Sequence, residues 1–451
     1  MEYRLTEGSI TKNLLKFAFP LMVGNLLQQL YNVADTLIVG RFLGADALAA
    51  VGSSYYIDGL FDIDTAGTVY GKQRFFSMEF GRENYDRLKK GFFISFVLIG
   101  SVTILLNLIV FTQIDFIIEL LQVPAEVVEL MRDYLICIFA GIFATFLYNY
   151  FANLLRAVGN SVTPLVFLAF SSILNIVLDL AFVLVLHWGV KGAAVATVIS
   201  QYVSGIGIMF YYWFRFPHLQ VQTRHMKWDG RILKEIAGLS FLTCVQQSIM
   251  NLGILMVQGL VNSFGTVVMA AFAAAVKIDS FAYMPVQDFG NAFSTYIAQN
   301  FGAGKRERIQ RGIKSSALVS FGFCLFISFV VCVFAKPLME IFVEPSHVDI
   351  VRVGVRYLRI EGAFYFGIGF LFLLYGFYRA VNRPGMSVVL TVISLGTRVF
   401  LAYTLAPIPS IGVTGIWASV PIGWILADLA GVIYYRKKKN QILTLKKKLC
   451  E

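Results

Sequence analysis

Charged side chains are scarce in this sequence. Asp, Glu, Lys and Arg make up 14% of the 451 residues, against about 25% in an average soluble domain. No polar segment is long enough for a separate soluble domain, and the mean hydropathy is +0.71. This composition excludes an ordinary soluble protein and predicts an all-α polytopic membrane protein.

Cysteine pairs and enzyme signatures are also lacking. The five cysteines show no CxxC or metal-ligand spacing, which indicates reduced packing residues. The segment FGAGKRER lacks the first glycine and the Ser/Thr of a phosphate-binding Walker loop, and HExxH and GxSxG are absent. We therefore predict a protein that is not an enzyme and that has no cofactor apart from a coupling ion.

Acidic residues are outnumbered by basic ones, 27 to 38. Most of the Lys and Arg fall in the loops of one side when twelve spans are assumed. This asymmetry predicts a multi-pass protein of the cell inner (plasma) membrane with both termini in the cytoplasm. The excess positive charge is therefore expected to meet the lipid bilayer, and no nucleic acid is expected as a partner.

Twelve apolar runs are long enough to cross a bilayer as helices. Landmarks recur in the same order along the chain: GADALAAVG matches GTVVMAAFA, and GVKGAAVA matches GVTGIWAS. The repeat predicts two pseudo-symmetric six-helix bundles, 1–221 and 222–451, as a parallel repeat. The predicted spans are 14–39, 45–70, 92–112, 134–156, 163–186, 190–213, 236–261, 268–298, 313–334, 357–381, 387–406 and 411–434.

The first span carries a carboxylate inside an apolar helix. Asn25, Gln28, Asn32 and Asp35 are spaced by three, four and three residues, which places them on one helical face. An ionisable residue in such a place is costly and suggests a substrate or ion pathway. The alternative is a polar stripe that only fixes helix packing.

Spans five and six supply further polar groups at helical spacing. Asn175 and Asp179 share one face of span five, and Thr197 and Gln201 share one face of span six. Two carboxylates in one dry chamber do not both ionise easily, which suits a proton carrier. Alternatively, Na⁺ bound at Asp35 and Asp179 would neutralise them, or the groups form a purely structural network.

The second half differs in its buried charges. Glu361 and Arg398 are predicted to form an intramembrane ion pair, because each charge alone would be expensive in a span. Asp288 either lines a central cavity or lies in a salt bridge. The alignment of the copies predicts an acidic pair in the first half alone.

The second span, in the first half, is unusually charged and must face water or protein. Its charged residues are Asp58, Asp62, Asp64, Lys72 and Arg74.

The segment FPLMVGNLLQQLYNVADTLIVGRFLGADALAAVG, with its P-x(14)-D-T-x-x-x-G pattern, resembles the opening span of the multidrug and toxic compound extrusion (MATE) family. The stretch MAAFAAAVKIDSFAYMPVQDFGNAFSTYIAQNFGAGKRERI is similar to that family's eighth span, and the DinF-like bacterial branch is the nearest in pattern. The resemblance implies twelve helices in two bundles. It also implies that Asp35, Asn175, Asp179 and Thr197 match the cation-coupling positions of the family.

The function expected from these features is alternating-access antiport. The protein would export amphipathic, often cationic small molecules in exchange for H⁺ or Na⁺, acting as a monomer. A flippase for a lipid-linked precursor is the alternative. Besides the coupling residues, the expected substrate-cavity residues are Asn25, Gln28, Asn32, Gln201, Asp288, Glu361 and Arg398.

Overall fold

A computed structural model describes residues 4–44, 47, 51, 72–120 and 125–442. Within these ranges the chain is helical and contains no strand. The helices are α1 (Ile10–Phe42), α2 (72–81), α3 (Tyr85–Leu120), α4 (Ala125–Ala157), α5 (Val162–Leu180), α6 (Gly189–Arg215), α7 (Gly230–Asn262), α8 (Thr266–Gly302), α9 (Arg306–Val333), α10 (Ala335–Glu340), α11 (Val348–Gly362), α12 (Tyr365–Ala380), α13 (Pro384–Leu405) and α14 (Val413–Ile442).

The helices follow the predicted spans and extend beyond most of them by several residues. Among the described residues, nine helices are long and apolar enough to cross a membrane, and α11 with α12 forms a tenth, broken span bent by 51°. The sequence predicted one continuous helix at 357–381, and the break lies between Gly362 and Tyr365. The predicted second span, 45–70, lies outside the described residues except at Ala47 and Val51.

Helix α5 has its polar residues inside and its apolar residues outside. Its buried residues are Pro164, Ser171, Asn175 and Asp179. The large apolar side chains on its other faces are more than half exposed, as in a helix that meets lipid. The polar stripe at spacing four is therefore the packed face. The exposed side chains are Val166, Phe170, Ile173 and Val177.

The chain divides into two compact units. The N-unit comprises Phe19–Phe241 with Arg4, and the C-unit comprises Leu5–Ala18 and the chain from Leu242 onward. The lobe boundary between residues 221 and 222 stays a prediction from the repeat. It falls in the connection between α6 and α7, which contains two short 3₁₀ turns.

Three clusters of buried apolar residues stabilise the N-unit, and two of them bear on the site. An aromatic cluster joins α2, α3, α4 and α6 around Phe92, Tyr150 and Tyr212. A second cluster joins the end of α1 to the starts of α4 and α6 through Val39, Tyr134 and Val190. Because Val39 is one turn beyond Asp35, this second cluster fixes the part of α1 that carries the carboxylate.

Candidate functional site

Two carboxyl groups meet inside the N-unit. Asp35 on α1 and Asp179 on α5 are both buried, and Asp179 is fully inaccessible. Their carboxyl groups lie within hydrogen-bonding reach of each other. Helix α5 continues after Leu180 as a single π turn, Ala181–Val185, so Asp179 lies immediately before a local widening of the helix. Such π turns are frequent at functional sites.

Asn175 and Thr197 hold one side of this pair. The amide orientation that satisfies the network directs the Asn175 nitrogen to Asp179 Oδ2 at 3.0 Å. The Asn175 oxygen then accepts hydrogen bonds from the Thr197 hydroxyl at 3.1 Å and from the Thr197 backbone N–H at 3.2 Å. Helix α6 therefore orients the amide, and the amide orients Asp179.

One oxygen of each carboxyl group lacks a donor. Oδ1 of Asp35 and Oδ1 of Asp179 are buried, and within the described ranges no hydrogen-bond donor reaches either atom. A buried carboxylate oxygen without a donor is expensive, and two neighbouring carboxylates also repel each other. A proton or a small cation shared by the pair would remove both costs.

The other first-half residues that the sequence singled out lie outside this network. Asn25 and Gln28 are exposed and Asn32 is half-buried, all on α1. Gln201 lies against α4, where its Oε1 is 2.8 Å from the position that a Cβ at Gly141 would occupy. The four coupling residues are thus brought together, and these four polar residues are not part of the buried pair.

A second carboxyl pair occurs in the C-unit. Asp279 on α8 and Glu361 in the last turn of α11 are buried and within hydrogen-bonding reach of each other. Tyr365 Oη, at the start of α12, donates to Asp279 Oδ1, and Tyr357 Oη donates to Oδ2 at 3.5 Å. The break between α11 and α12 therefore lies beside this pair. The expectation of an acidic pair in the first half alone is wrong.

Arg398 is near this pair without being bonded to it. No ion pair of 4.0 Å or less joins Arg398 to Glu361 within the described part of the chain, so the predicted direct ion pair is wrong. The guanidinium of Arg398 is half-buried and acts on Asp279 and Glu361 through its field. Asp288 is buried on α8, nine residues beyond Asp279 and therefore about 13 Å further along the helix axis.

The charged residues of the predicted second span are partly accounted for. The Lys72 ammonium lies 4.1 Å from the centre of the Tyr150 ring, and Arg74 is buried. Both therefore meet protein, as a charged helix in a membrane must. Nearby, the buried Glu79 accepts hydrogen bonds from Arg82 and Arg87, each at 2.8 Å. The remaining charged positions, Asp58, Asp62 and Asp64, lie outside the described residues.

Comparison with known proteins identifies the family. The MatE family model matches residues 20–181 and 240–404. The chain belongs to the MATE family. The Bacillus subtilis protein named probable multidrug resistance protein YpnP is 30% identical over 441 residues, covering 96% of each chain. The Staphylococcus haemolyticus protein named multidrug export protein MepA is 24% identical and covers 99% of this chain and 97% of its own.

Solved structures agree with this assignment at the level of the fold. A MOP superfamily transporter from Pyrococcus furiosus matches with a TM-score of 0.89 at 23% identity, covering 98% of each chain. The prediction of an all-α polytopic membrane protein with twelve transmembrane helices in two six-helix repeats is confirmed. As a MATE-family member, the chain is a multi-pass membrane transporter.

Proposed function

We propose that this MATE-family chain is a cation-coupled antiporter that exports amphipathic, cationic small molecules. The observation that carries the proposal is the buried Asp35–Asp179 pair, in which one oxygen of each carboxyl has no donor among the described residues. The names of the relatives as multidrug resistance and export proteins support the substrate class.

A proton fits this pair better than Na⁺ does. The Asn175 oxygen already accepts two hydrogen bonds from Thr197, and the Asn175 nitrogen occupies Asp179 Oδ2. A hard cation requires several free oxygen ligands around it, whereas a shared proton requires only one oxygen from each of two carboxyl groups within reach of each other. We therefore infer that H⁺ is the coupling ion.

Coupling requires that the ion prefers one conformation over the other. In the conformation described here the two carboxyls are adjacent and buried, so a proton is bound by two oxygens at once. A conformation that separates Asp35 from Asp179, or that hydrates them, would release it. The buried acidic pair also favours cation coupling over a flippase for an anionic lipid-linked precursor.

The proposal includes the setting of the transporter. We infer an inner-membrane protein with both termini in the cytoplasm. The reason is that most of the Lys and Arg fall in the loops on the same side as the termini. We also infer a monomer. We further infer that Asn25, Gln28 and Asn32 belong to the substrate pathway, since the first two are exposed and the third is half-buried on the same helix.

Transport in proteoliposomes tests the proposal. Export of a cationic dye should follow an imposed pH gradient and should be indifferent to a sodium gradient. Asp35→Asn should abolish the gradient-driven transport, because the neutral amide cannot release a proton. Asp115→Asn is the matched control, since Asp115 is exposed and paired with Arg132. Undiminished export by the Asp35→Asn variant would exclude Asp35 as a coupling residue.

A further inference from the structure

Four basic side chains converge on one groove of the C-unit. The groove is formed by α10, α11 and the start of α14, and its volume is about 560 Å³, within the range of about 300–1,000 Å³ found for small-molecule sites. No acidic residue of the described chain lines it. Its basic residues are Lys336, Arg352, Arg356 and Arg359, and its aliphatic ones include Val348 and Val355.

The three arginines form a stripe along α11. They are spaced by four and three residues, which places them on one helical face, and all three are exposed. The opposite face is buried in the C-unit and includes Val351 and Leu358. Because like charges at this spacing repel each other, the stripe favours an anionic ligand.

Neighbouring acids are close to only two of the four charges. Lys336 Nζ lies 3.7 Å from Glu340 Oε1, and an Arg352 nitrogen lies 3.5 Å from Asp349 Oδ1. Ion pairs that are open to solvent contribute little. These two acids therefore compensate the positive charge of the groove only in part.

The other two charges have no acidic partner within the described ranges. No ion pair reaches Arg356 or Arg359 there. Arg359 Nε donates to the backbone oxygen of Cys332 at 3.4 Å, in the last turn of α9. This contact holds the guanidinium at the end of α9 and leaves its two terminal nitrogens available to a ligand.

The groove lies at the level where a membrane meets water. Helix α9 is long and apolar enough to span a membrane, and its first turn contacts the N-terminal segment, since Arg308 donates to the carbonyls of Glu7 and Gly8. Helices α10 and α11 follow the other end of α9 and are therefore on the opposite side of the membrane from that segment. Arg359 precedes Arg379 by 20 residues, at most about 30 Å along α11 and α12, which matches the thickness of the hydrocarbon core.

We propose that this groove binds the headgroup of an anionic phospholipid, such as phosphatidylglycerol, in the leaflet opposite to the N-terminal segment. The planar guanidinium groups of Arg356 and Arg359 suit the oxygens of a phosphate, with which arginine forms charge-assisted hydrogen bonds. The acyl chains would lie along the apolar face that α9 exposes at this end. That face presents Phe326, Phe329 and Val333, each more than half exposed.

The aliphatic walls decide between a lipid and a soluble anion. A free phosphate ester would use only the charges and would leave exposed apolar groups such as Val348 in contact with water. A phospholipid uses both the basic stripe and the apolar surface beside it. This site is separate from the Asp35–Asp179 pair, and it does not depend on the function proposed above.

Photo-crosslinking of the full chain in nanodiscs tests the site without requiring transport. In phosphatidylcholine nanodiscs that contain a small share of photoreactive phosphatidylglycerol, peptides of α11 should be labelled, and unlabelled phosphatidylglycerol should compete. The mole fraction that gives half-maximal labelling should rise about fivefold in Arg356→Gln and about 30-fold in Arg356→Gln/Arg359→Gln. This is the scale expected for basic residues beside an anionic membrane surface.

Three further variants serve as controls. Arg356→Lys keeps the charge and should retain most of the labelling. Arg311→Gln removes an exposed charge at the other end of α9 and should leave the labelling of α11 unchanged. Val348→Glu keeps all four basic residues but adds a negative charge to the lining, and it should weaken labelling. Size-exclusion profiles establish that each variant is folded.

Three results would overturn the proposal. Unchanged labelling of α11 in the double variant would show that the arginines do not bind the headgroup. Equal labelling by photoreactive phosphatidylcholine would indicate a groove for any lipid. Full displacement by soluble glycerol phosphate would indicate a site for a soluble anion.

Discussion

The two units each bury a pair of carboxyl groups, but the pairs are satisfied differently. In the N-unit, Asp35 and Asp179 each keep one oxygen without a donor among the described residues. In the C-unit, both oxygens of Asp279 accept hydrogen bonds from tyrosine hydroxyls and the Arg398 guanidinium is near enough to act on the pair, while Glu361 Oε2 is buried without a donor among the described residues. Among the described residues no cation acts on the first pair, whereas Arg398 acts on the second.

This difference separates a pair that still needs a cation from a pair whose charge a nearby arginine already partly compensates. A buried acidic pair without a cation is costly unless it binds a proton or a metal ion. A pair beside an arginine is already partly compensated. The repeat therefore preserved the helical framework, while the polar contents of the two copies diverged. We expect the N-unit pair to govern coupling and the C-unit pair to govern mainly the stability of the broken α11–α12 span.

The largest expected effect is on transport. Asp179→Asn should reduce proton-driven dye export to background, a loss of at least about 100-fold if two-oxygen proton binding contributes roughly 3 kcal/mol of coupling. Glu361→Gln should retain most of the export, because the amide keeps the shape of the C-unit pair. Both variants are compared in the same proteoliposomes at matched protein density.

A reversed pattern would contradict the division of roles. If Glu361→Gln abolished export and Asp179→Asn did not, the coupling ion would bind in the C-unit. Loss in both variants would mean that both pairs take part in ion transfer. Size-exclusion profiles in detergent establish that each variant is folded before export is compared.

The second expected effect is on stability. Glu361→Leu should lower the free energy of unfolding by about 1–3 kcal/mol, because it removes a buried carboxyl group within hydrogen-bonding reach of Asp279 and leaves Arg398 with less compensating charge in the span. The double variant Glu361→Leu/Arg398→Met should recover part of that loss. Equilibrium unfolding in mixed micelles measures both. A double variant that is no more stable than Glu361→Leu would mean that Arg398 is compensated by other groups.

Much of the fold followed from the sequence because membrane helices are governed by a simple rule. Apolar runs of sufficient length must be helical, since a helix satisfies its own backbone hydrogen bonds in lipid. The N-unit network was predictable for a related reason: the polar residues of α5 recur every four positions in an otherwise apolar helix. The break in α11–α12 was not predictable, because the residues around it contain no proline and a single glycine such as Gly362 is tolerated inside a helix.

The C-unit pair could not be predicted, because reasoning from the sequence matches a buried acidic residue with a buried basic residue. Glu361 was assigned to Arg398 as its natural opposite, whereas the structure brings it to Asp279, a residue on another helix. Two acids can share a site when hydroxyl donors and a nearby cation offset their repulsion. The positions of Tyr357 and Tyr365 on either side of the helix break are tertiary information, and no periodicity in the sequence reports them.

The third expected effect compares the packing of the two units. A Cβ at Gly205 in the N-unit would lie 2.6 Å from the Ala144 carbonyl oxygen, and a Cβ at Gly423 in the C-unit would lie 2.4 Å from the Ser394 carbonyl oxygen. Alanine at either site should therefore cost about 1–3 kcal/mol of unfolding free energy. Gly396→Ala, with nothing within 4 Å of its Cβ, is the control and should be neutral or stabilising.

Equal losses at the two sites would indicate that helix packing is conserved between the repeats even where the polar contents differ. If Gly205→Ala and Gly423→Ala behaved like the Gly396→Ala control, the helices would be free to separate slightly, and the close approach would carry little energy.

The smallest expected effect concerns single hydroxyl groups. Tyr365→Phe removes a buried donor to Asp279 and should cost about 1–2 kcal/mol. Tyr357→Phe should cost less, because its hydroxyl is 3.5 Å from Asp279 Oδ2, the limit of a useful hydrogen bond.

Thr197→Val in the N-unit should cost about 1 kcal/mol of unfolding free energy. It should also impair export, since it frees the Asn175 amide that orients Asp179. Neither tyrosine variant should change export. A tyrosine variant that impairs export as much as Thr197→Val would mean that the C-unit pair shares in coupling.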